Sequence, residues 1–336
     1  MAINSNDKIL VTGADGFIGS HLSEELVRRG YQVRALVWYN AFGHRGWLDR
    51  VNPELQDKME IMAGDVRDPH AMLELVDGTM TIIHLASLIG IPYSYHSPDS
   101  YIQTNVTGTL NLLQAARRSG VKRFVQTSTS EVYGSAQRIP MDESHPLSAQ
   151  SPYAASKIAS DQLAGSFYCS FDLSVVTIRP FNTFGPRQST RAVIPTIISQ
   201  LMTDREQIYL GQTDSRRDFT FVGDIVNGFI AAVETERDKI AGETINLGSG
   251  TEIAIGELAE RIASLMGKQV KIVADDKRIR PEASEVDRLL CDNKKARRLL
   301  GWEPTIDFDD ALKQTIDWFG CEENIMFARS ADRYGI

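Results

Sequence analysis

With 336 residues, 42% of them apolar and 24% charged, the chain is long enough to bury a large core, and it contains no run of about 18 apolar residues, so neither a membrane span nor disorder is expected. A net charge of −8 argues against nucleic acid and anionic membranes as partners, and an anionic small substrate would need locally placed arginines. The start, Met1 to Asp7, lacks a secretory pattern, and Cys169, Cys291 and Cys321 match neither a disulfide framework nor a metal-ligand spacing, so a cytoplasmic protein without a metal site is expected.

Lys8 to Thr12 reads as a buried strand, followed at once by Gly13-Ala14-Asp15-Gly16-Phe17-Ile18-Gly19 and a helix with Ile18, Leu22 and Leu26 on one face. Glycines between strand and helix let backbone approach a pyrophosphate, which the helix amino terminus holds with free N–H groups. The next strand, Gln32 to Val37, should end in an acid that binds the adenosine ribose, but Trp38-Tyr39-Asn40 follows instead. Arg34 and Arg45 are near enough in sequence to meet a 2′-phosphate, so NAD and NADP both stay open. Met59 to Val66 and Met80 to Ala86 are further short strands separated by helical sequence, the alternation of a parallel sheet with right-handed crossovers. Asp65, with Val66 after it, either binds adenine or caps its turn. His84 sits in an apolar run and reads as a core histidine, with Leu85 and Ala86 closing the strand. A helix from Tyr101 to Arg118 carries Ile102, Val106, Leu110 and Leu113 on one stripe.

The strand Arg123 to Gln126 delivers Thr127-Ser128-Thr129-Ser130-Glu131-Val132-Tyr133-Gly134 to the sheet edge where open α/β folds bind ligands. Beyond a Pro-containing loop, Tyr153 and Lys157 stand four residues apart, on one face of a helix. An ammonium beside a phenol favours phenolate, which would make Tyr153 a general base for an alcohol. After the strand Ser174 to Pro180, glycine and proline punctuation increases. Residues 1–180 are therefore expected to form mainly a Rossmann-type doubly wound parallel sheet, and residues 181–336 mainly a smaller lobe interleaved with it. Arg187, Arg217 and Arg280 lie in loops, and a guanidinium suits a diphosphate.

Gly13-x-x-Gly16-x-x-Gly19, His84-Leu85-Ala86, Thr129-Ser130-Glu131-Val132-Tyr133-Gly134, Tyr153-x-x-x-Lys157, Arg179 to Pro186, Arg217-Asp218-Phe219 and Asn246 to Gly250 together resemble the extended short-chain dehydrogenases/reductases of the NAD-dependent epimerase/dehydratase family that act on nucleotide sugars. Within them, Thr-Ser-Glu is similar to GDP-mannose 4,6-dehydratases. Ile91 to Tyr101, Trp47 to Asp49 and Arg191 to Thr196 look more like the N-acetylglucosamine nucleotide 4,6-dehydratases of legionaminic acid synthesis.

The resemblance implies an NAD(P)-dependent enzyme whose smaller lobe binds the nucleotide sugar, a UDP- or GDP-linked hexose. Tyr153 would take the proton of the 4-hydroxyl as carbon 4 gives up hydride, Lys157 would hold the phenolate and the nicotinamide ribose, and Thr129 would align the hydroxyl. Glu131 would remove the carbon 5 proton. Ser130 stands where glucose-type enzymes have an aspartic acid, so Glu131 would serve both proton transfers. Asn182, Arg187, Arg217 and Arg280 would bind the diphosphate. Family members commonly form homodimers through a four-helix bundle, here Tyr101 to Arg118 and Tyr153 to Cys169. UDP-glucuronate decarboxylases share the Thr-Ser-Glu and Tyr/Lys elements, 4-epimerases usually have a small residue in place of Glu131, and a cofactor-sensing protein would need no base.

Overall fold

In a computed structural model of the chain, residues 7–203, 207–275, 278, 281–321 and 324 are described. Six strands of the first 180 residues, Lys8–Thr12 (β1), Gln32–Trp38 (β2), Met59–Gly64 (β3), Thr81–His84 (β4), Arg123–Thr127 (β5) and Val175–Pro180 (β6), join an edge strand from the remainder, Thr244–Leu247. All pair in parallel, in the order Thr244–Leu247, β6, β5, β4, β1, β2, β3. The winding direction reverses between β1 and β4, which places a crevice at the carboxyl ends of those two strands.

Every residue of β4, β5 and β6 is buried, as a sheet covered on both faces requires. Side chains alternate between two cores. Ile9, Val11, Ile83 and Val125 face the core shared with helices Phe17–Arg28 and Val222–Glu234, while Leu10, Ile82 and Phe124 face Leu75, Leu112 and Phe167. Each fully buried aliphatic side chain of this kind is worth about 1.5–3 kcal/mol.

The helix expected from Tyr101 to Arg118 is interrupted. Pro98–Tyr101 is α-helical, Ile102–Thr107 forms a π-helical stretch, and Gly108–Arg118 is α-helical again. The wider turn rotates the buried face from the expected stripe to Asn105, Thr109, Leu112, Leu113 and Ala116, and leaves Ile102 exposed. It also frees the Asn105 carbonyl, which accepts from Ser160 Oγ at 2.7 Å and Thr109 Oγ1 at 2.5 Å.

Beyond Pro180 the chain builds short two- and three-stranded sheets. Asn182–Phe184 pairs with Phe219–Phe221, Arg216–Arg217 lies between Ile253–Ala254 and Arg288–Leu289, and Gln207–Leu210 pairs with Lys271–Ala274. Phe184, Ile194, Leu258 and Leu312 from this half belong to the same core as Ile9 and Val11. Continuous packing thus holds the crevice between the two parts.

Candidate active site

The crevice floor begins at Thr12, the last residue of β1. Its Oγ1 accepts from the Leu85 and Ala86 amides at 3.2 and 3.1 Å and lies 2.8 Å from His84 Nδ1. With both amides donating, the hydroxyl proton goes to Nδ1, so Nε2 carries the ring proton and donates to Thr109 Oγ1 at 3.0 Å. His84 is buried, and desolvation and the Lys157 charge lower its pKa to about 3. It is a neutral structural link between β1, β4 and the helix Gly108–Arg118, as its apolar setting suggested.

Gly13 has φ 67°, and a Cβ there would sit 2.8 Å from the Ala86 nitrogen. At Gly19 a Cβ would lie 2.1 Å from the Gly13 carbonyl oxygen, so the helix can start this close to the strand only without a side chain. Gly16 is the amino-terminal cap of the helix Phe17–Arg28 and supplies no side-chain bond. Its first-turn amides are left for an anion, and with no Cβ at Gly13, Gly16 or Gly19 this cradle fits a dinucleotide pyrophosphate. Phe17 and Ile18 anchor the turn against the core.

At the far edge, Asp65 accepts from the Arg67 amide at 2.9 Å and Arg67 Nε at 2.8 Å, and the Arg67 guanidinium lies 5.2 Å over the Trp38 ring. Asp65 therefore caps its own turn. Val66 is buried, its carbonyl held by Asn111 Nδ2 at 3.1 Å. The two arginines considered for a 2′-phosphate are committed elsewhere. Arg34 donates to the Leu75 and Asp77 carbonyls at 2.6 and 2.7 Å and pairs with Glu60, while Arg45 pairs with Asp49 at 2.9 Å.

At the end of β5, Thr129 takes an extended conformation (φ −161°) and caps the short helical turn Ser130–Tyr133, its Oγ1 accepting from the Glu131 amide at 3.2 Å. Ser130 is buried and Glu131 half-buried. Opposite, the helix Pro152–Phe171 starts with Ser151 as cap and Pro152 in the first turn, which places Tyr153 at its mouth and Lys157 one turn deeper. The Tyr153 hydroxyl faces the Thr129 side chain, and its ring packs with Ile91 and edge-on to Tyr101 at 6.2 Å. The turn that carries Thr129 and Glu131 thus faces the helix that carries Tyr153 and Lys157.

One expectation is corrected here. Burial raises the Tyr153 phenol well above its ordinary pKa; Thr129 opposes this and the Glu131 charge adds to it. Lys157 does not hold it down, because Lys157 Nζ donates to the Thr127 carbonyl at 2.6 Å, and burial lowers Lys157 itself to about 8. Desolvation outweighs the helix spacing, so the resting tyrosine is protonated.

Sequence reasoning also missed the polar groups behind this pair. Asn105 Nδ2 donates to the Leu88 carbonyl at 3.0 Å and Ser156 Oγ at 2.9 Å, and its Oδ1 accepts from the Leu88 amide at 2.8 Å, tying the π-helical stretch to the helix that carries Tyr153. The signal was the serine row Ser156 and Ser160, one turn apart on that helix.

The substrate side is less uniform. Asn182 Nδ2 donates to the Asp218 carbonyl at 3.3 Å, next to Arg217. Asp218 is buried, and its carboxylate accepts from the Ser249, Gly250 and Cys291 amides, fixing the Gly248–Gly250 turn. Arg217 donates to the Asp287 carbonyl at 3.2 Å and pairs with Glu285 at 3.1 Å. Arg187 pairs with Glu24 at 2.8 Å and donates to Ser20 Oγ at 3.3 Å, both on the helix Phe17–Arg28. Arg280 lies outside the described residues. Among those residues no helix is long and apolar enough to cross a membrane, and no cluster of three or more His, Cys, Asp or Glu side chains has metal-holding geometry.

The family model described as GDP-mannose 4,6 dehydratase matches residues 10–315. The chain is 33% identical to a UDP-N-acetyl-alpha-D-glucosaminuronate decarboxylase of Bacillus cytotoxicus, covering 94% of this chain and 99% of that one. It is 31% identical to a UDP-glucose 4-epimerase of Mycolicibacterium smegmatis, covering 93% and 98%. Among solved structures, a double mutant of the dTDP-glucose 4,6-dehydratase DesIV from Streptomyces venezuelae, with NAD bound, is 31% identical and superimposes with a TM-score of 0.83 over 94% of this chain and 97% of that one. With this sheet, this glycine turn and this match along nearly its whole length, the chain belongs to the GDP-mannose 4,6-dehydratase-like family of NAD-dependent epimerases/dehydratases, the nucleotide-sugar branch of the extended short-chain dehydrogenases/reductases.

Proposed function

We propose that the protein is a nucleotide-sugar 4,6-dehydratase that uses NAD and converts a UDP- or GDP-linked N-acetylglucosamine to its 4-keto-6-deoxy product. The observation that carries this reading is the position of Glu131, a half-buried carboxylate on the same turn as Thr129 and electrostatically coupled to Tyr153. An epimerase has no need of a carboxylate there, whereas abstraction of a carbon 5 proton requires a base.

The Gly13–Gly19 turn and the first amides of the helix Phe17–Arg28 would hold the pyrophosphate of NAD, with Val66, Leu85 and Ala86 along its path. NAD, when bound, supplies the hydride acceptor for carbon 4 and the donor for carbon 6. Thr129 aligns the 4-hydroxyl and Tyr153 moves its proton. Burial keeps the phenol protonated at rest, so it can accept that proton only once a cation stabilises its phenolate, and Lys157 on the same helix face is the cation that would do so. The ketone at carbon 4 acidifies the proton on carbon 5, which Glu131 takes. Glu131 then returns a proton to the departing 6-hydroxyl, since Ser130 is a poor acid, and, reprotonated from solvent, it would protonate carbon 5 as carbon 6 is reduced. Asn182 and Arg217 hold the diphosphate.

A decarboxylase is the second reading, favoured by the Bacillus cytotoxicus relative. Mass spectrometry of products from UDP- and GDP-linked N-acetylglucosamine, glucose, mannose and glucuronate separates them: loss of water supports the dehydratase, loss of carbon dioxide from the glucuronate replaces it, and an unchanged mass with inverted carbon 4 makes the enzyme an epimerase. In the Glu131→Gln variant the 4-keto sugar should accumulate, and exchange of the carbon 5 proton with deuterated solvent should nearly stop. Unaltered exchange would assign the base to another group.

A further inference from the structure

Tyr153, Lys157 and Asp161 recur at every fourth residue of the helix Pro152–Phe171 and form one stripe along it. All three are at most 6% exposed. The first two have roles in the chemistry proposed above; Asp161 does not reach the pocket mouth, yet a carboxylate so deeply buried is retained only where its charge is answered.

Its Oδ2 accepts from Ser128 Oγ at 2.7 Å and from Arg179 Nε and Nη2 at 3.2 and 3.0 Å. Ser128 lies between Thr127, whose carbonyl receives Lys157 Nζ at 2.6 Å, and Thr129, which faces the Tyr153 hydroxyl. Arg179 in turn donates to the Tyr133 hydroxyl at 3.0 Å, and Tyr133 donates to Asn246 Oδ1 at 2.7 Å, so the guanidinium is fixed from the far side. All of these contacts use Oδ2. Asp161 Oδ1 is buried and has no hydrogen-bond partner among the described residues.

We propose that Asp161 is a positioning residue for the Tyr153–Lys157 pair: its carboxylate is the fixed counter-charge of the buried Lys157 ammonium, and its bond to Ser128 holds the turn on which that ammonium rests. The titratable and charged groups facing this part of the pocket are His84 from β4, Glu131 and Tyr133 from the turn after β5, Tyr101 from the neighbouring helix, Tyr153 from the same helix and Arg179 from β6. His84 is neutral, the tyrosines are protonated, and Arg179 is engaged by Asp161 and Tyr133. Burial lowers Lys157 to about 8, and Asp161 is the group that opposes this fall. A lysine so near neutrality depends on one neighbouring negative charge to remain an ammonium at physiological pH. The catalytic consequence rests on the function proposed above; the charge coupling does not.

The test is a direct titration of Lys157 by NMR in protein labelled at lysine, with the resonance identified by its loss in Lys157→Met. Asp161→Asn keeps an acceptor for Ser128 and Arg179 but removes the charge, and should lower the Lys157 midpoint by at least about one pH unit, with the alkaline limb of turnover moving by the same amount. Ser128→Ala keeps the charge and should leave the midpoint in place. If Asp161→Asn does not fold, Arg179→Gln is compared with the double variant Asp161→Asn/Arg179→Gln, and the double variant should titrate at least about one unit below Arg179→Gln. A midpoint within about 0.3 unit of wild type in the folded variant, whatever its melting temperature, overturns the proposal. So does a Ser128→Ala shift as large as that of Asp161→Asn. Failure of the wild type to turn over any nucleotide sugar would remove the proposed function while the lysine titration still decides the role of Asp161.

Discussion

At the carboxyl ends of β1, β4 and β5, polar groups meet over backbone: Thr12 binds the Leu85 and Ala86 amides, the Gly13 carbonyl leaves no room for a side chain at Gly19, and Lys157 binds the Thr127 carbonyl. Arg217 is held instead by the carboxylate of Glu285, and Arg187 by that of Glu24 on the helix Phe17–Arg28. A backbone contact is fixed by the fold and changes only if a strand or helix moves. A guanidinium paired with a carboxylate can exchange that anion for a diphosphate of similar geometry. Under the proposed function the cofactor side is thus built once, during folding, and on the substrate side Arg217 keeps a partnership that a ligand can replace.

The largest expected effect belongs to the built side. Tyr153→Phe keeps the ring against Ile91 and Tyr101 and removes the hydroxyl that faces Thr129, so turnover should fall by roughly a hundredfold to ten-thousandfold while NAD still binds. Activity within about threefold of wild type would take the tyrosine out of the chemistry.

The buried His84 gives the same region a pH signature. Its folded pKa of about 3 lies below the unfolded value of 6.5, so the unfolded chain binds a proton that the folded one refuses. The stability present above pH 6.5 is therefore lost as pH falls toward 3, by about 1.4 kcal/mol per pH unit from this residue. His21, lowered to about 4 by burial and by Arg187, adds a parallel loss over a shorter range. Denaturant unfolding at a series of pH values should show a shallower acid slope in His84→Asn than in wild type; equal slopes would mean that His84 protonates in the folded state.

These regions also differ in how far the chain itself disclosed them. The glycine turn, the strand ends and the Tyr153–Lys157 spacing are local patterns, each dictated by contacts within a few residues, and their elements lie where the patterns predicted. The π-helical stretch was hidden because Ile102, Val106, Leu110 and Leu113 satisfy an ordinary helical period, and only the bonds of Asn105 to Leu88 and of Ser160 to Asn105 reveal the extra residue. The tyrosine's pKa was misread for a related reason. Helix spacing brings Lys157 to the same face, but desolvation by Ile91 and Tyr101 depends on packing that no spacing records. Arg187 was beyond reach altogether, since its partner Glu24 stands 163 residues earlier in the chain.

The two arginines sharpen the contrast most directly. Arg217 is buried beside Asn182 and Asp218, at the level of the crevice, and Arg217→Ala should raise KM by the loss of a charge-assisted contact, about 1.5–3 kcal/mol or roughly tenfold to a hundredfold, with little loss of NAD. Arg187→Ala should be the mildest change. Glu24 keeps Arg28 as a second cation, so the carboxylate is not left unpaired, and the missing contacts lie on the helix Phe17–Arg28. KM should then stay within about twofold of wild type, and the cost should appear as a small loss of stability, about 1 kcal/mol or less. Steady-state kinetics of both variants on the same nucleotide sugar decides the matter. If Arg187→Ala raises KM as far as Arg217→Ala does, Arg187 leaves Glu24 for the diphosphate when substrate binds, and the exchange of anions described for this side of the crevice extends to both arginines.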